Sequence, residues 1–458
     1  MTRFAAVFLA LLLGGCMVGP DYRRPALDLP AAFTEPDVAK APMAVPQKWW
    51  TLYDDATLNA LVDEGLTRNA DIRLAVARVE EAEGLLREAH ATLLFPLVNG
   101  NAGVNRGRNP ANDPPTTTIY STGLSTSFEV DLWGRLRRAE RSTRDNLLAS
   151  RYGRDTVALT LAATIARTYF AALSLDSQYS ASLEILKAAD ESLTLARRRA
   201  QGGIATDLDV YQAGSLKSQA AAQAKEIERQ RAAIVHQLGV LTGRLDVSVA
   251  NRDVATLPIP PLPPAGLPSQ LLERRPDVTQ AEAALMAATE RIGIARAAQF
   301  PTLTLTASLG RASPELSNLF ASKASVWNVG AGLVGPILDG GRYAARTDQA
   351  IAQAKQAEAT YQRAVENAFR DVADALSNVR LAADQETDLA DRVTQARNAL
   401  RLAQLRYDRG YSAYLEVLDA QRTLNDAQLA FIRNRQAYLS FTVDLMNSLG
   451  GGWTPGRA

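Results

Sequence analysis

The chain has 458 residues, with 50 basic and 49 acidic side chains, a net charge of +1 and a single cysteine. That balance carries no nucleic-acid signature and no charged tail, and one thiol excludes an internal disulfide or a cysteine-ligated zinc cluster. The two histidines, His90 and His236, stand alone in helical patterns with no HExxH, Walker or nucleophile-elbow motif around them, so nothing here supports an enzyme, a metal site or a bound cofactor.

The first predicted element is a leader. Arg3 supplies a basic start, Phe4 to Leu13 an apolar run, and Leu13-Gly14-Gly15-Cys16 reads as a lipobox. The run is far shorter than the roughly 20 residues that cross a bilayer as a helix. Residues 1–15 are therefore expected to be a lipoprotein signal peptide, with the new N-terminal Cys16 carrying an N-acyl chain and an S-diacylglycerol. The plain alternative is a small thiol that happens to end a signal peptide. Met17 follows where an Asp would retain a bacterial lipoprotein at the inner membrane, which directs the chain to the outer membrane with its body in the periplasm. No later stretch reads as apolar enough for a transmembrane helix, so any further crossing has to use β-strands.

Past an N-terminal acylated segment (16–55), the chain repeats itself. AHATLLFPLVNGNAG from Ala89 answers to ARAAQFPTLTLTASLG from Ala295, with Phe95-Pro96 recurring as Phe300-Pro301, a shift of 300 − 95 = 205. LARRRAQGGIATDLDVYQA from Leu195 matches LAQLRYDRGYSAYLEVLDA from Leu402, a shift of 402 − 195 = 207. Leu132-Trp133-Gly134-Arg135 falls on Asp339-Gly340-Gly341-Arg342 at that same spacing. The period suits a duplicated half-protein rather than a solenoid. The predicted repeats are 56–243 and 276–450. Each has a helix, two strands (about 96–106 and 119–132; 301–311 and 326–338) and a long helical hairpin with its tip near 202–206 or 410–413. A linker, 244–275, joins them, and its six prolines from Pro258 to Pro268 favour extended chain. Residues 451–458 form a tail.

The strands alternate. In β-type spacing Tyr120, Leu124, Phe128 and Val130 oppose Ser121, Ser125, Ser127 and Glu129; Leu303, Leu305, Ala307 and Leu309 oppose Thr302, Thr304, Thr306 and Ser308. A half-buried soluble sheet has the same pattern as a tilted outer-membrane strand of about ten residues. The helix from about Gly341 to Arg409 has no internal Gly or Pro and carries apolar residues at alternating spacings of three and four: Tyr361, Val365, Ala368, Val372, Ala375, Val379, then Leu389, Val393, Ala396, Leu400, Ala403. That is a coiled-coil seam, and alone it fits a helical bundle with no channel. Four strands do not close a transmembrane barrel, which starts near eight. A membrane role for them requires several copies of the chain.

CMVGPDYRRP, KWWTLYDDATLNALVDEGLTRNADI, LPSQLLERRPDVTQAEAALMAATERIGIARAAQFP and LRYDRGYSAYLEVLDAQRTLNDAQ together resemble the outer-membrane factors of Gram-negative efflux and export systems, the TolC and OprM type, in its NodT-like lipoprotein branch. The resemblance covers nearly the whole mature chain. It implies a mixed α+β membrane protein: a homotrimer whose four strands per protomer build one transmembrane β-barrel, continuous with a long periplasmic α-helical barrel. It implies a passive conduit for drugs or other toxic small molecules, partnered by a periplasmic adaptor, an inner-membrane RND-type transporter and outer-membrane lipid. Alternatives are the exit duct of a type I protein secretion or metal-ion export system, and a non-conducting coiled-coil scaffold lipoprotein.

The family's carboxylate ring at the periplasmic constriction falls on Glu416 and Asp419, with Glu416 one methylene longer than the usual Asp. Acids in a first helical turn also simply offset the helix dipole, by about 0.3–1 kcal/mol, and Asp209 in the equivalent place of the first half needs no other role. The tip turns are expected at Gly202, Gly203 and Gly410. Tyr407 and Tyr411 flank the second tip, either clamping it shut or filling coil interfaces.

Overall fold

The computed structural model describes residues 17–30, 32–33, 44–108, 116–249, 252–266 and 271–454. The signal peptide, Cys16 and residues 455–458 lie outside the described residues.

In chain order a 3-10 turn, Trp49–Tyr53, leads to α1 (Ala56–Arg68), α2 (Ala70–Leu94), β1 (Leu97–Arg108), β2 (Thr116–Val130), α3 (Arg135–Gln201) and α4 (Asp207–Thr242). After the linker come α5 (Pro276–Ala297), β3 (Thr302–Ser313), β4 (Ser325–Val334), α6 (Arg342–Asp408) and α7 (Tyr414–Ser448). Both α3 and α6 have 67 residues, and the helices that follow them have 36 and 35. Two series of one grammar thus follow each other.

Four details depart from the sequence reading. The opening helix of the first series breaks at Asn69, whose backbone leaves the helical region; its side-chain oxygen accepts from the Asp71 amide at 2.7 Å and restarts the helix, while its Nδ2 donates to the Leu241 carbonyl. The proline run is extended as expected, but the linker also holds a 3-10 turn, Val254–Thr256, and one helical turn, Leu271–Arg274, where no proline intervenes. β4 stops at Val334, not near 338, because its neighbour β3 begins at Thr302, opposite Val334. And α3 is long and apolar enough by composition to cross a membrane; its apolar side chains, among them Ile165, Phe170 and Leu173, are instead buried against other protein groups.

The described chain divides into two compact units. One comprises Met1–Leu27, Ala77–Arg151 and Gln280–Arg363 and contains a four-stranded antiparallel sheet in the order β1-β2-β3-β4.

The other comprises Asp28–Val76, Tyr152–Thr279 and Ala364–Ala458. Its first core is built around the WWTLYDDATL motif. Trp49, Trp50 and Tyr53 pack with Leu58 and Val62 of α1, Ile165, Phe170 and Leu173 of α3, and Leu439, Val443 and Met446 of α7. Asp55 caps α1 by accepting from the Leu58 amide and also takes hydrogen bonds from Tyr169 and Arg252, each at 2.9 Å, so this buried carboxylate is fully partnered. A second core runs between the four hairpin helices: Ile185, Ala189 and Leu193 of α3, Ala213 and Ala220 of α4, Ala396 and Leu400 of α6, Val417 and Ala427 of α7. Alanine at these seams lets neighbouring backbones approach closely. Of the predicted α6 seam, Leu389 and Val393 are half-buried and the other nine residues are buried.

Candidate functional site

Within the first unit the register sorts side chains by chemistry. Val98, Thr126, Ala307 and Val329 form one row across the sheet; Gly100, Leu124, Leu309 and Trp327 form another; Phe128, Leu305 and Ala331, then Val130, Leu303 and Leu333, continue the same face. The opposite face carries rows such as Asn99, Ser125, Ser308 and Asn328. Strand side chains alternate between faces, so a one-residue slip in any strand would mix the two sets. No slip occurs. Leu124, Leu309, Trp327, Val329 and Leu333 are nevertheless exposed in the single chain. An apolar face this broad on a soluble protein needs a cover, and hydrocarbon supplies one. The outer edges of β1 and β4 carry no strand partner among the described residues.

At the same unit's helix–strand junctions Trp133 stacks on Phe300 with ring centroids 4.7 Å apart, and its indole N–H donates to the Pro301 carbonyl at 2.8 Å. An amphipathic ring at the end of a strand fits a membrane–water boundary. Here the segment that follows Cys16 is fastened. The Val18 amide donates to the Trp133 carbonyl at 3.1 Å. Gly19 lies so close to Gly293 of α5 that a Cβ on Gly19 would sit 2.5 Å from the Gly293 Cα. Arg138 of α3, 1 % exposed, donates to the carbonyls of Gly19 and Pro20, each at 3.1 Å, and to Glu290 at 2.8 Å and Asp21 at 3.3 Å. Arg24 grips Glu282 through both carboxylate oxygens, at 2.7 and 2.8 Å, and Tyr22 donates to Glu282 at 2.9 Å. The VGPDYR stretch is therefore a strap, and it brings Met17, the neighbour of Cys16, against Gly134 between β2 and α3. This buried arginine was not singled out in the sequence, where Arg135, Arg137, Arg138, Arg141 and Arg144 look alike; the Gly-Pro of the strap was the only signal.

Beside the strap, burial and the neighbouring Glu290 push the Asp145 carboxyl up to about 6. Glu140 acts in the same direction, and Arg144 and Arg141 oppose it.

The hairpin tips belong to the second unit. Gly203 and Gly410 have φ of 73° and 78°, a left-handed backbone that glycine adopts without steric cost, and Gly202 precedes the first of them in the turn. At the first tip Thr206 and Asp209 form a reciprocal capping box: Thr206 N–H donates to Asp209 at 3.0 Å and the Asp209 amide to the Thr206 hydroxyl at 3.4 Å. At the second tip the corresponding N-cap is Ala413, which has no hydroxyl and makes no side-chain cap. Glu416 is exposed there, 3.8 Å from Arg406, and Asp419 is exposed one turn later. Duplicated carboxylates have thus diverged: Asp209 is engaged by its own helix, Glu416 is free of that duty.

Tyr407 is half-buried, 5.2 Å from the Tyr414 ring, with the Arg199 guanidinium 4.4 Å over its face; Arg199 also pairs with Asp408 at 3.2 Å. Tyr411 is exposed. The two tyrosines are not brought together, and Tyr407 fills an interface between the two hairpins. His90 and His236 sit toward solvent; His90 lies 3.9 Å from Glu140.

Comparison with known proteins agrees with this architecture. The outer membrane efflux protein family matches the chain twice, over residues 61–244 and 267–451. The solvent efflux pump outer membrane protein SrpC of Pseudomonas putida is 34% identical over 461 residues, covering 98% of both chains. The cation efflux system protein CusC of Escherichia coli O6:H1 is 33% identical over 452 residues, 97% of each. The open-state structure of the Neisseria gonorrhoeae MtrE outer membrane channel superposes with a TM-score of 0.84 at 30% identity, covering 95% of this chain and 98% of that one.

Proposed function

This chain belongs to the outer membrane efflux protein family, and from that premise we propose that it is the outer-membrane conduit of a tripartite, RND-type efflux system, assembled as a homotrimer and passing drugs or other toxic small molecules passively outward. The single observation that carries the assembly is a sheet with one apolar face and two edges that have no strand partner among the described residues. In hydrocarbon each unpaired backbone group costs several kcal/mol, so four strands must be joined by those of other copies. Three copies supply twelve strands, enough to close a barrel. The polar face, rich in Ser, Thr, Asn and Gly, then lines a wet lumen, and the α3–α4 and α6–α7 hairpins form the periplasmic duct.

A periplasmic adaptor and an inner-membrane transporter complete the system and do the energetic work. The lipid on Cys16 fits the strap, which brings the chain next to Cys16 to the end of β2. Glu416 and Asp419 of three copies would ring the duct's neck with six carboxylates, attracting cations, disfavouring anions and retaining divalent ions. A cation cargo is the second reading. It is favoured by one observation: the relative named for cation efflux is almost as similar to this chain as the one named for solvent efflux. Planar-bilayer recording tests the conduit. Wild type gives stepwise conductance with cation preference and divalent block; Glu416→Gln with Asp419→Asn weakens both. Unchanged selectivity removes the ring, and absence of conductance removes the conduit.

A further inference from the structure

The four strands hold three basic side chains, and the register brings all three to one end of one face. Arg106 and Arg108 of β1 and Arg311 of β3 lie toward the hairpin connections, at the end of the sheet away from Trp133 and Phe300. Alternation puts them on the apolar face: Val98, Ala102 and Val104 precede Arg106 on one side of β1, and Leu303, Leu305 and Leu309 precede Arg311 on the same side of β3. The one acidic side chain in the strands, Glu129, lies on the opposite face at the other end, held by Arg135 at 2.6 and 3.0 Å. Arg106 and Arg108 are exposed, and neither has an ion pair among the described residues. Arg311 donates through Nη1 to the carbonyls of Phe320 and Ala321, at 2.7 and 3.0 Å, which ties the β3–β4 connection to it and leaves its charge without a carboxylate among the described residues. That connection adds the exposed Lys323, while its acid, Glu315, accepts from Asn318 at 2.7 Å. Asp113, between β1 and β2, lies outside the described residues.

The depth of these arginines follows from strand geometry. Arg108 is 108 − 98 = 10 positions beyond Val98 on β1. A rise of about 3.3 Å per residue and a tilt near 40° place it about 25 Å above Val98 along the membrane normal, which is the height of an outer-membrane barrel's apolar band. Aromatic side chains mark the same level. Trp327 pairs with Leu309, one outward step below Arg311, and Tyr120 shares a row with Val104, one step below Arg106; amphipathic rings gather at membrane–water boundaries. An outward arginine is costly at the midplane and nearly free of cost at this level. We propose that Arg106, Arg108 and Arg311 form a binding site for the phosphate groups of the outer leaflet's phosphorylated glycolipid, lipid A; this rests on the membrane barrel proposed above. A guanidinium fork matches phosphate oxygens bidentately. The phosphate comes from a lipid and not from solution because these side chains share their face with Leu124, Leu309 and Trp327. Hydrocarbon covers that face, so the anion beside the arginines is one anchored in the same hydrocarbon.

The test titrates full-length protein in neutral detergent with lipid A and with the same glycolipid stripped of its phosphates, counting bound lipid by native mass spectrometry. Wild type should prefer the phosphorylated form by roughly a hundredfold, at about fivefold per cation near an anionic surface. Arg106→Gln with Arg108→Gln and Arg311→Gln should lose most of that preference. Planar-bilayer conductance reports whether each protein has folded and assembled. Equal binding of the two glycolipids by a conducting wild type overturns the site and leaves the conduit standing. A wild type without conductance overturns the barrel on which the site rests. Displacement of lipid A by inorganic phosphate at constant ionic strength would assign a free anion and overturn the lipid. Should the triple variant fail to assemble, Arg106→Gln with Arg108→Gln decides, since it keeps the bonds from Arg311 to the loop. Full preference retained in either variant overturns the assignment to these arginines.

Discussion

Replacing Arg138 by Met keeps an unbranched apolar stem and removes every hydrogen bond that this guanidinium makes to the strap. Two of the lost bonds, to the Gly19 and Pro20 carbonyls, join the strap directly to α3. Hydrogen bonds to a charged group contribute about 1.5–3 kcal/mol each, so the strap's opening equilibrium should shift by about 3 kcal/mol at the low end, roughly a hundredfold. Glu290, left buried without its cation, adds strain to α5, since removing one member of a buried pair costs about 3–5 kcal/mol. The distal anchors, Arg24 and Tyr22 on Glu282, remain. Loss is therefore expected at Val18, whose amide bonds the Trp133 carbonyl, and less beyond Tyr22. Hydrogen–deuterium exchange read by mass spectrometry on detergent-purified protein measures this, because local protection follows the opening equilibrium. Wild-type protection at Val18 in Arg138→Met would refute the strap as drawn.

Asp145→Asn tests the raised carboxyl. The folded state holds its proton up to about pH 6 and the unfolded chain releases it near 4, so wild type loses stability as pH rises through that window. The variant should resist heat better than wild type at pH 7.5 and match it near pH 4; a difference independent of pH would contradict this. Thr206→Ala removes the cap of α4 and should cost about 1 kcal/mol, seen as faster amide exchange at the first tip only, whereas Ala413→Thr at the second tip should slow exchange there. Opposite or absent effects would deny that the two tips differ in capping.

Much of the fold was legible because alternation and heptad spacing are direct consequences of strand and helix geometry. The polar and apolar faces of β2 and β3 could be assigned residue by residue, and so could most of the α6 seam. The central pairing of β2 with β3 joins residues more than 170 positions apart, such as Val130 with Leu303 (303 − 130 = 173), which no local pattern contains. The strand ends at Val334 rather than near 338 because its last partner is Thr302, and Gly335-Pro336 follow at once with Pro336 lacking a backbone N–H to donate. The strap escaped notice because burial of Arg138 is a property of packing, not of its spacing. The distinction between Asp209 and Glu416 was readable in principle, in Thr206 against Ala413, since only a hydroxyl completes a capping box.

The central claim is that one sheet cannot wall a pore and that identical chains share their strands. Cryo-electron microscopy of the detergent-purified protein tests it most directly. The account predicts a threefold particle with a closed barrel in which each β4 edge lies against a β1 edge of another copy; a single polypeptide enclosing its own barrel, or a particle with no barrel, would contradict it.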